Sequence, residues 1–175
     1  TFPSRRALDE AEATHRRALA LYERILPEDH PDIGASLSNL AGVLQQMGRL
    51  DEAEELLRRA LVIREAALAE SDPQIALNLT NLAVVLQHLS RFDEAELLHR
   101  RALAIYEAAL PEDHPTIALS LNNLASALGN LGRFEEAERM HRLSLPEDEF
   151  LREMEVIREE RRLRVDDNPN GLAWE

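Results

Sequence analysis

Apolar residues recur along the chain with the spacing of a helix. The stripe Leu-x-x-Leu-Ala-x-x-Leu occurs at residues 37–44, 79–86 and 121–128. Residues three and four positions apart share one helix face, so each stripe predicts an amphipathic helix whose small Ala allows a close helix contact. Proline is tolerated in a first turn, where its missing N–H would be unpaired. These first helices are therefore predicted to begin at Pro31, Pro73 and Pro115.

A second helix follows each stripe after a short turn. The turns are marked by Gly48, Ser90 and Gly132, and the second helices are predicted to begin at Leu50, Phe92 and Phe134. Acidic residues in their first turns suit the helix dipole. Aspartate is a good N-cap before Pro73, whereas the histidines before the other two prolines are poorer ones.

The two-helix unit repeats every 42 residues. When residues 50–91 are aligned with residues 92–133 without a gap, 26 of 42 positions are identical. An internal repeat of this length made of helix pairs indicates an all-α solenoid.

The repeated residues resemble the tetratricopeptide repeat, in the 42-residue form found in kinesin light chains and in many bacterial scaffold and sensor proteins. The resemblance rests on the leucine stripe, on Asn-Asn-Leu-Ala at residues 122–125, on His-Pro before a first helix, and on Gly-Arg-Phe-Glu-Glu-Ala-Glu at residues 132–138. It implies a right-handed superhelix of antiparallel helix pairs, and it covers residues 1–145.

The ends of the chain depart from this pattern. An unpaired second helix occupies the start, and a charged helix follows Pro146 near the end; this helix either extends the third repeat, which we favour, or caps the solenoid. Because the chain opens at Thr1, we expect it to be part of a longer protein. The predicted units are an orphan helix at 1–30, repeats at 31–72, 73–114 and 115–148, a charged helix at 149–167 and the start of a further helix at 168–175.

Composition excludes several functions. The 175 residues carry a net charge of −13, which argues against nucleic acid as a partner, and contain no cysteine, which excludes disulfides and cysteine-based zinc sites. No apolar run is long enough for a membrane span, and we expect a cytoplasmic protein without membrane contact. Every basic residue is arginine, a bias of GC-rich genes that favours a bacterial source.

The charges lie almost entirely on the second helices. Residues 33–48, 74–90 and 116–132 contain no Asp, Glu, Lys or Arg. The family resemblance places these uncharged first helices on the concave side and leaves the charged helices on the solvated outer wall. It implies a partner-binding face made of Ser38, Asn39, Gln45, Gln46, Thr80, Asn81, Val84, Gln87, His88, Asn122, Asn123, Ser126 and Asn130.

Asn39, Asn81 and Asn123 recur once per repeat on this face. A carboxamide both donates and accepts, so such a ladder can hold an extended peptide backbone, or it can bond the neighbouring repeat. Since the face lacks cations, a neutral or mildly apolar segment is expected rather than an acidic tail. Arginines recur at the turns: Arg49, Arg91 and Arg133. They either reach a ligand or, as we favour, pair with nearby acids or with the C-terminal carbonyls of the first helices.

Catalytic and metal-binding patterns are not found in the sequence. His15, His99 and His141 take equivalent places in successive second helices, where the remaining copy has Leu57, which indicates a half-buried packing position rather than a metal site. Only His88 is a plausible ligand contact. We therefore predict no enzyme activity and no cofactor.

The expected function is binding of a protein or peptide segment in the concave groove. The alternative is a structural module. It either self-associates as a homo-oligomer through the exposed solenoid ends or docks within a larger regulator, such as the sensor arm of a signalling ATPase or protease.

Overall fold

A computed structural model of the chain describes residues 3–144, and the part described contains helices and no strand. The all-α prediction is therefore confirmed. The helices are α1 (Arg5–Ile25), α2 (Pro31–Gln46), α3 (Leu50–Ala67), α4 (Pro73–His88), α5 (Phe92–Ala109), α6 (Pro115–Asn130) and α7 (Phe134–Ser144).

Each first helix lies between two second helices. Helix α4 contacts α3 before it and α5 after it, and α2 and α6 are placed in the same way. The leucine stripes supply the centre of this stack, where Leu40 and Leu82 are fully buried. Ala41 and Ala83 are also fully buried, as expected for residues that allow helices to approach closely.

The turn inside each repeat adopts a left-handed backbone conformation. Gly48 has φ of 77° and Gly132 has φ of 74°, which glycine adopts at little cost. Ser90 occupies the same place in the middle repeat with φ of 61°, in a region that strains a residue carrying a Cβ.

Histidine caps two of the first helices, at positions where we expected it to be a poorer N-cap than aspartate. The Nδ1 atom of His30 accepts a hydrogen bond from the backbone N–H of Asp32 at 3.2 Å, and His114 does the same for Thr116. Asp72 caps α4 through its carboxylate at 2.8 Å. Each imidazole therefore satisfies one of the free N–H groups of the first turn.

The predictions for residues 149–175 lie outside the described residues. Among the helices that are described, none combines the length and the apolar character needed to cross a bilayer.

Candidate partner-binding face

The charged side chains of the second helices form a similar ion-pair cluster in successive repeats. Glu54 accepts hydrogen bonds from Arg58, one turn along α3, and from Arg91 at the start of α5. Burial raises the pKa of Glu54, but the hydrogen bonds from both arginines outweigh it and hold that pKa below its usual value. The recurring arginines pair with acids, as we favoured. Similar clusters surround Glu12 and Glu96.

The recurring asparagines lie on the first helices, and their side-chain carboxamides form no hydrogen bonds within the described residues. Asn39 is exposed, and Asn81 and Asn123 are partly exposed. Their side chains make no hydrogen bond to any other residue in the range 3–144. They therefore do not hold the described repeats together, which was the alternative role considered for them.

Four other residues expected on this face bond within the protein. Ser38 donates to Asn78 at 2.7 Å, and the Thr80 hydroxyl donates to the carbonyl of Ala76. Asn122 accepts from Ser144 at 2.6 Å, and Gln87 lies 3.2 Å from the buried His99. Ser38, Gln87 and Asn122 thereby connect neighbouring helices, whereas the Thr80 bond lies within its own helix.

The remaining expected residues have no such bonds and differ in exposure. Gln46, His88 and Asn130 are exposed at the last residues of their helices, and Ser126 is exposed further back on α6. Gln45 and Val84 are partly buried.

A cavity of about 440 Å³ lies between α4 and α6. Leu77 and Leu119 line it with 49% and 60% of their surfaces exposed. Tyr106 of α5 also lines it, and burial raises the pKa of its phenol. Thr80 and Asn123 connect the cavity to the face predicted from the sequence.

The equivalent place between α2 and α4 is filled by a polar network that the sequence did not reveal. Arg64, at the position of Tyr106 one repeat earlier, is only 4% exposed. Its Nη1 donates to the carbonyl of Gln74 at 3.1 Å and to Oδ1 of Asn78 at 3.4 Å. The Nδ2 of Asn78 donates to the carbonyl of Leu57 at 2.8 Å. Burial lowers the pKa of Arg64.

Room for Arg64 depends on the residue it packs against. A Cβ added to Gly34 would lie 3.3 Å from Cγ of Arg64, whereas the next repeat has alanine at the equivalent position 76 and tyrosine at position 106. The first helices carry no Arg or Lys within residues 33–48, 74–90 and 116–132, but Arg64 of the second helix α3 is buried against α4. The combination of Arg64 with glycine at position 34 was the sequence signal that could have indicated this network.

The histidines do not assemble a metal site. Within residues 3–144, no group of three or more His, Asp or Glu residues is placed to hold a metal ion. His99 is completely buried rather than half-buried, and its Nδ1 has no hydrogen-bond partner. His15 and His141 are partly exposed.

Comparison with known proteins identifies the repeat. A tetratricopeptide repeat family model matches residues 5–66 and 74–146, and no curated protein sequence matches the chain. Among solved structures, a kinesin light chain-like protein of Podosopora anserina with nearly identical TPR-like repeats superposes with a TM-score of 0.72 at 28% identity, covering 77% of this chain and 64% of that one. BtubC (BKLC) from P. vanneervenii gives 0.73 at 22% identity, covering 96% and 61%.

The apo form of RapI shares the fold with a TM-score of 0.67 at 19% identity, covering 78% of this chain and 37% of that one. The chain thus spans less than two thirds of the length of each of these proteins. Tetratricopeptide repeats generally mediate protein–protein interactions. The family model covers most of the chain, and the described helices pair as its repeats do, so the chain belongs to the tetratricopeptide repeat family.

Proposed function

We propose that the face formed by α2, α4 and α6, here called the groove, binds an extended segment of a partner protein. The observation that carries the proposal is the set of unused carboxamides at Asn39, Asn81 and Asn123, one per repeat, of which Asn123 lines an open cavity with exposed leucines. Exposed apolar surface bordered by free polar groups is typical of an interaction site.

The chemistry of the groove suits a backbone rather than a charged side chain. Each carboxamide can donate to a peptide carbonyl and accept from a peptide N–H, so it can hold an extended chain without regard to sequence. The eleven residues that line the cavity include no Asp, Glu, Lys or Arg. The segment is therefore neutral or mildly apolar, and apolar side chains entering the cavity supply much of the affinity.

A peptide-display selection on the 175-residue chain tests this proposal. Random short peptides should enrich on the parent protein and be lost on the Asn39/Asn81/Asn123→Ala triple variant. The control is the Glu55/Leu97/Arg139→Ala triple variant, which changes one exposed residue per repeat at equivalent places on the second helices. Circular dichroism establishes that both variants keep the helicity of the parent.

Each outcome has a definite meaning. If enrichment is lost on the asparagine variant but kept on the parent and on the control variant, the result supports binding in the groove. Equal enrichment on all three proteins places the peptide site elsewhere, and no enrichment on any of them overturns peptide binding.

A second candidate function is self-association, which rests on α1. In the described part of the chain α1 packs mainly against α2, and it leaves Leu21, Tyr22 and Ile25 exposed at 43%, 37% and 66%. If this surface joins two copies, the mass measured by light scattering should rise with protein concentration, and Ile25→Asp should abolish the rise. A mass that stays monomeric at every concentration removes this candidate.

A further inference from the structure

Two equivalent positions of the repeat change together along the chain. One lies near the end of a second helix, and the other lies in the first half of the first helix that follows. The three copies have the following pairs: Tyr22 and Ser36, Arg64 and Asn78, Tyr106 and Ser120. The outer copies agree and the middle copy differs at both positions, so the same helix arrangement forms with either pair.

The middle pair is the less favourable one to bury. Arg64 is 4% exposed, and its Nη1 donates to two neutral oxygens, the carbonyl of Gln74 and Oδ1 of Asn78. Its Nε is buried without a hydrogen-bond partner. Burying a charged group against neutral ones costs free energy, and a tyrosine ring carries no such charge. Since tyrosine occupies this position in the other copies, stability does not explain why Arg64 is there.

The two pairs differ in the space that they leave between neighbouring first helices. Beside Tyr106, the cavity of about 440 Å³ lies open between α4 and α6, and its eleven lining residues include no Asp, Glu, Lys or Arg. Between α2 and α4, Oδ1 of Asn78 accepts hydrogen bonds from Nη1 of Arg64 and from the hydroxyl of Ser38. Charged residues also stand there at positions whose equivalents line the cavity: Asp32, Arg64 and Asp72. An apolar side chain is therefore accommodated between α4 and α6 and disfavoured between α2 and α4.

We propose, building on the function proposed above, that Arg64 and Asn78 restrict the groove to a single anchor site. That site is the cavity between α4 and α6, and it receives one uncharged, apolar side chain of the bound segment. Arg64 and Asn78 are specificity-determining residues because they close the equivalent place one repeat earlier. The pair thereby fixes where along the groove the segment binds.

Backbone contacts alone do not define the alignment of a bound segment. Asn39, Asn81 and Asn123 offer the same groups to a peptide backbone, so a segment shifted by one repeat keeps similar hydrogen bonds. Packed helices lie about 8–10 Å apart, so this shift moves an extended chain by about three residues or more at about 3.3 Å per residue. A single anchor site makes one alignment more favourable than the shifted ones.

The first test uses peptides that enrich on the 175-residue chain in the display selection. One enriched peptide is synthesised with alanine at each position in turn, and the Kd of every version for the parent protein is measured. Replacing one large apolar residue should weaken binding about tenfold or more, because its burial in the cavity is lost. No second apolar residue should have an effect of that size.

Exchange of the pairs between repeats tests the role of Arg64 and Asn78. The opened variant, Gly34→Ala/Arg64→Tyr/Asn78→Ser, gives the middle copy the residues of the copy that follows it. Peptides that enrich on this variant should carry two large apolar residues, separated by about three positions or more.

The closed variant makes the reverse exchange, Ala76→Gly/Tyr106→Arg/Ser120→Asn. It should bind the peptides of the parent about tenfold or more weakly, because the anchor site is filled. The control Tyr22→Arg/Ser36→Asn makes the same exchange in the first copy, outside both places, and should keep the affinity of the parent. Circular dichroism establishes that each variant keeps the helicity of the parent.

The outcomes separate this inference from the function on which it rests. Two or more apolar residues of equal effect in the alanine series overturn the single anchor site, and that series needs no variant of the protein. An opened variant that selects one apolar residue, or a closed variant with the affinity of the parent, overturns the role of Arg64 and Asn78. Groove binding stands in these cases if the Asn39/Asn81/Asn123→Ala variant loses the peptides. If no peptide enriches on the parent, both proposals fail.

Discussion

Replacing His99 with leucine should remove most of the loss of stability of this protein between neutral and mildly acidic pH. His99 is the one histidine that the described structure buries completely. Its Nε2 lies 3.2 Å from Oε1 of Gln87, and its Nδ1 is buried without a partner. Leucine is the residue at the equivalent position 57, where it is 2% exposed, so the fold accommodates it.

The magnitude follows from the two protonation equilibria. An imidazole in the unfolded chain has a pKa of about 6.5, whereas burial lowers the pKa of His99 to about 4. As the pH falls, the unfolded state takes up the proton first. The stability that neutral His99 confers is therefore complete at pH values above the pKa of the unfolded chain. It is lost as the pH falls toward the pKa that His99 has in the folded protein. Between about pH 7.5 and about pH 5, the free energy of unfolding should fall by about 2 kcal/mol.

Urea unfolding followed by circular dichroism measures this change. The window ends at about pH 5 because the arginine-bound glutamates, such as Glu12 and Glu54, have lowered pKa values and become protonated only at lower pH. The control His88→Gln changes an exposed histidine and should keep the slope of the parent, because the buried imidazole remains. A slope that persists in His99→Leu would refute the assignment of the pH dependence to this residue.

Three further substitutions test a turn, a helix contact and an N-cap of the two-helix repeat, and each is measured by thermal or urea unfolding. Ser90→Gly should raise the free energy of unfolding by about 1 kcal/mol, because φ of 61° strains a residue with a Cβ and the other two copies have glycine; an unchanged or lower stability would contradict this. Ala83→Leu should lower the free energy of unfolding by about 1–3 kcal/mol through overpacking at a fully buried contact, and a variant that unfolds like the parent would refute that contact. His114→Asp should raise the free energy of unfolding by about 0.5 kcal/mol by giving α6 the cap that Asp72 gives α4, and destabilisation would show that the imidazole has another role.

The helices and turns of the repeat could be predicted from the sequence because the signals that define them are local. The leucine stripe, the opening proline and the turn residue each constrain only a few neighbouring residues, and the described helices begin where those signals lie. Periodicity also places the recurring asparagines on the helix face away from the leucines, but it leaves open whether their carboxamides bond the neighbouring repeat.

Side chains that reach a neighbouring helix could not be assigned in this way. Periodicity gives the direction of Gln87 and Asn122 around their own helices, but whether each meets a partner depends on the axial register of the next helix. Arg64 was missed for a related reason. It lies beside Glu65 on a charged second helix, and the missing Cβ of Gly34 across the interface leaves space for its side chain.

The side-chain contacts that could not be predicted share a pattern that bears on function. Where the copies agree, as in the stripes and the Glu–Arg clusters, the residues build the frame that every repeat needs. Where the copies differ, as at Asn78 and Ser120 or at Arg64 and Tyr106, the frame is unchanged but the surface between first helices is filled in one place and open in the next. A solenoid of near-identical units has little other means of distinguishing one position along a bound segment from another. The differences between equivalent residues, rather than the repeated ones, should therefore determine which segment this groove recognises.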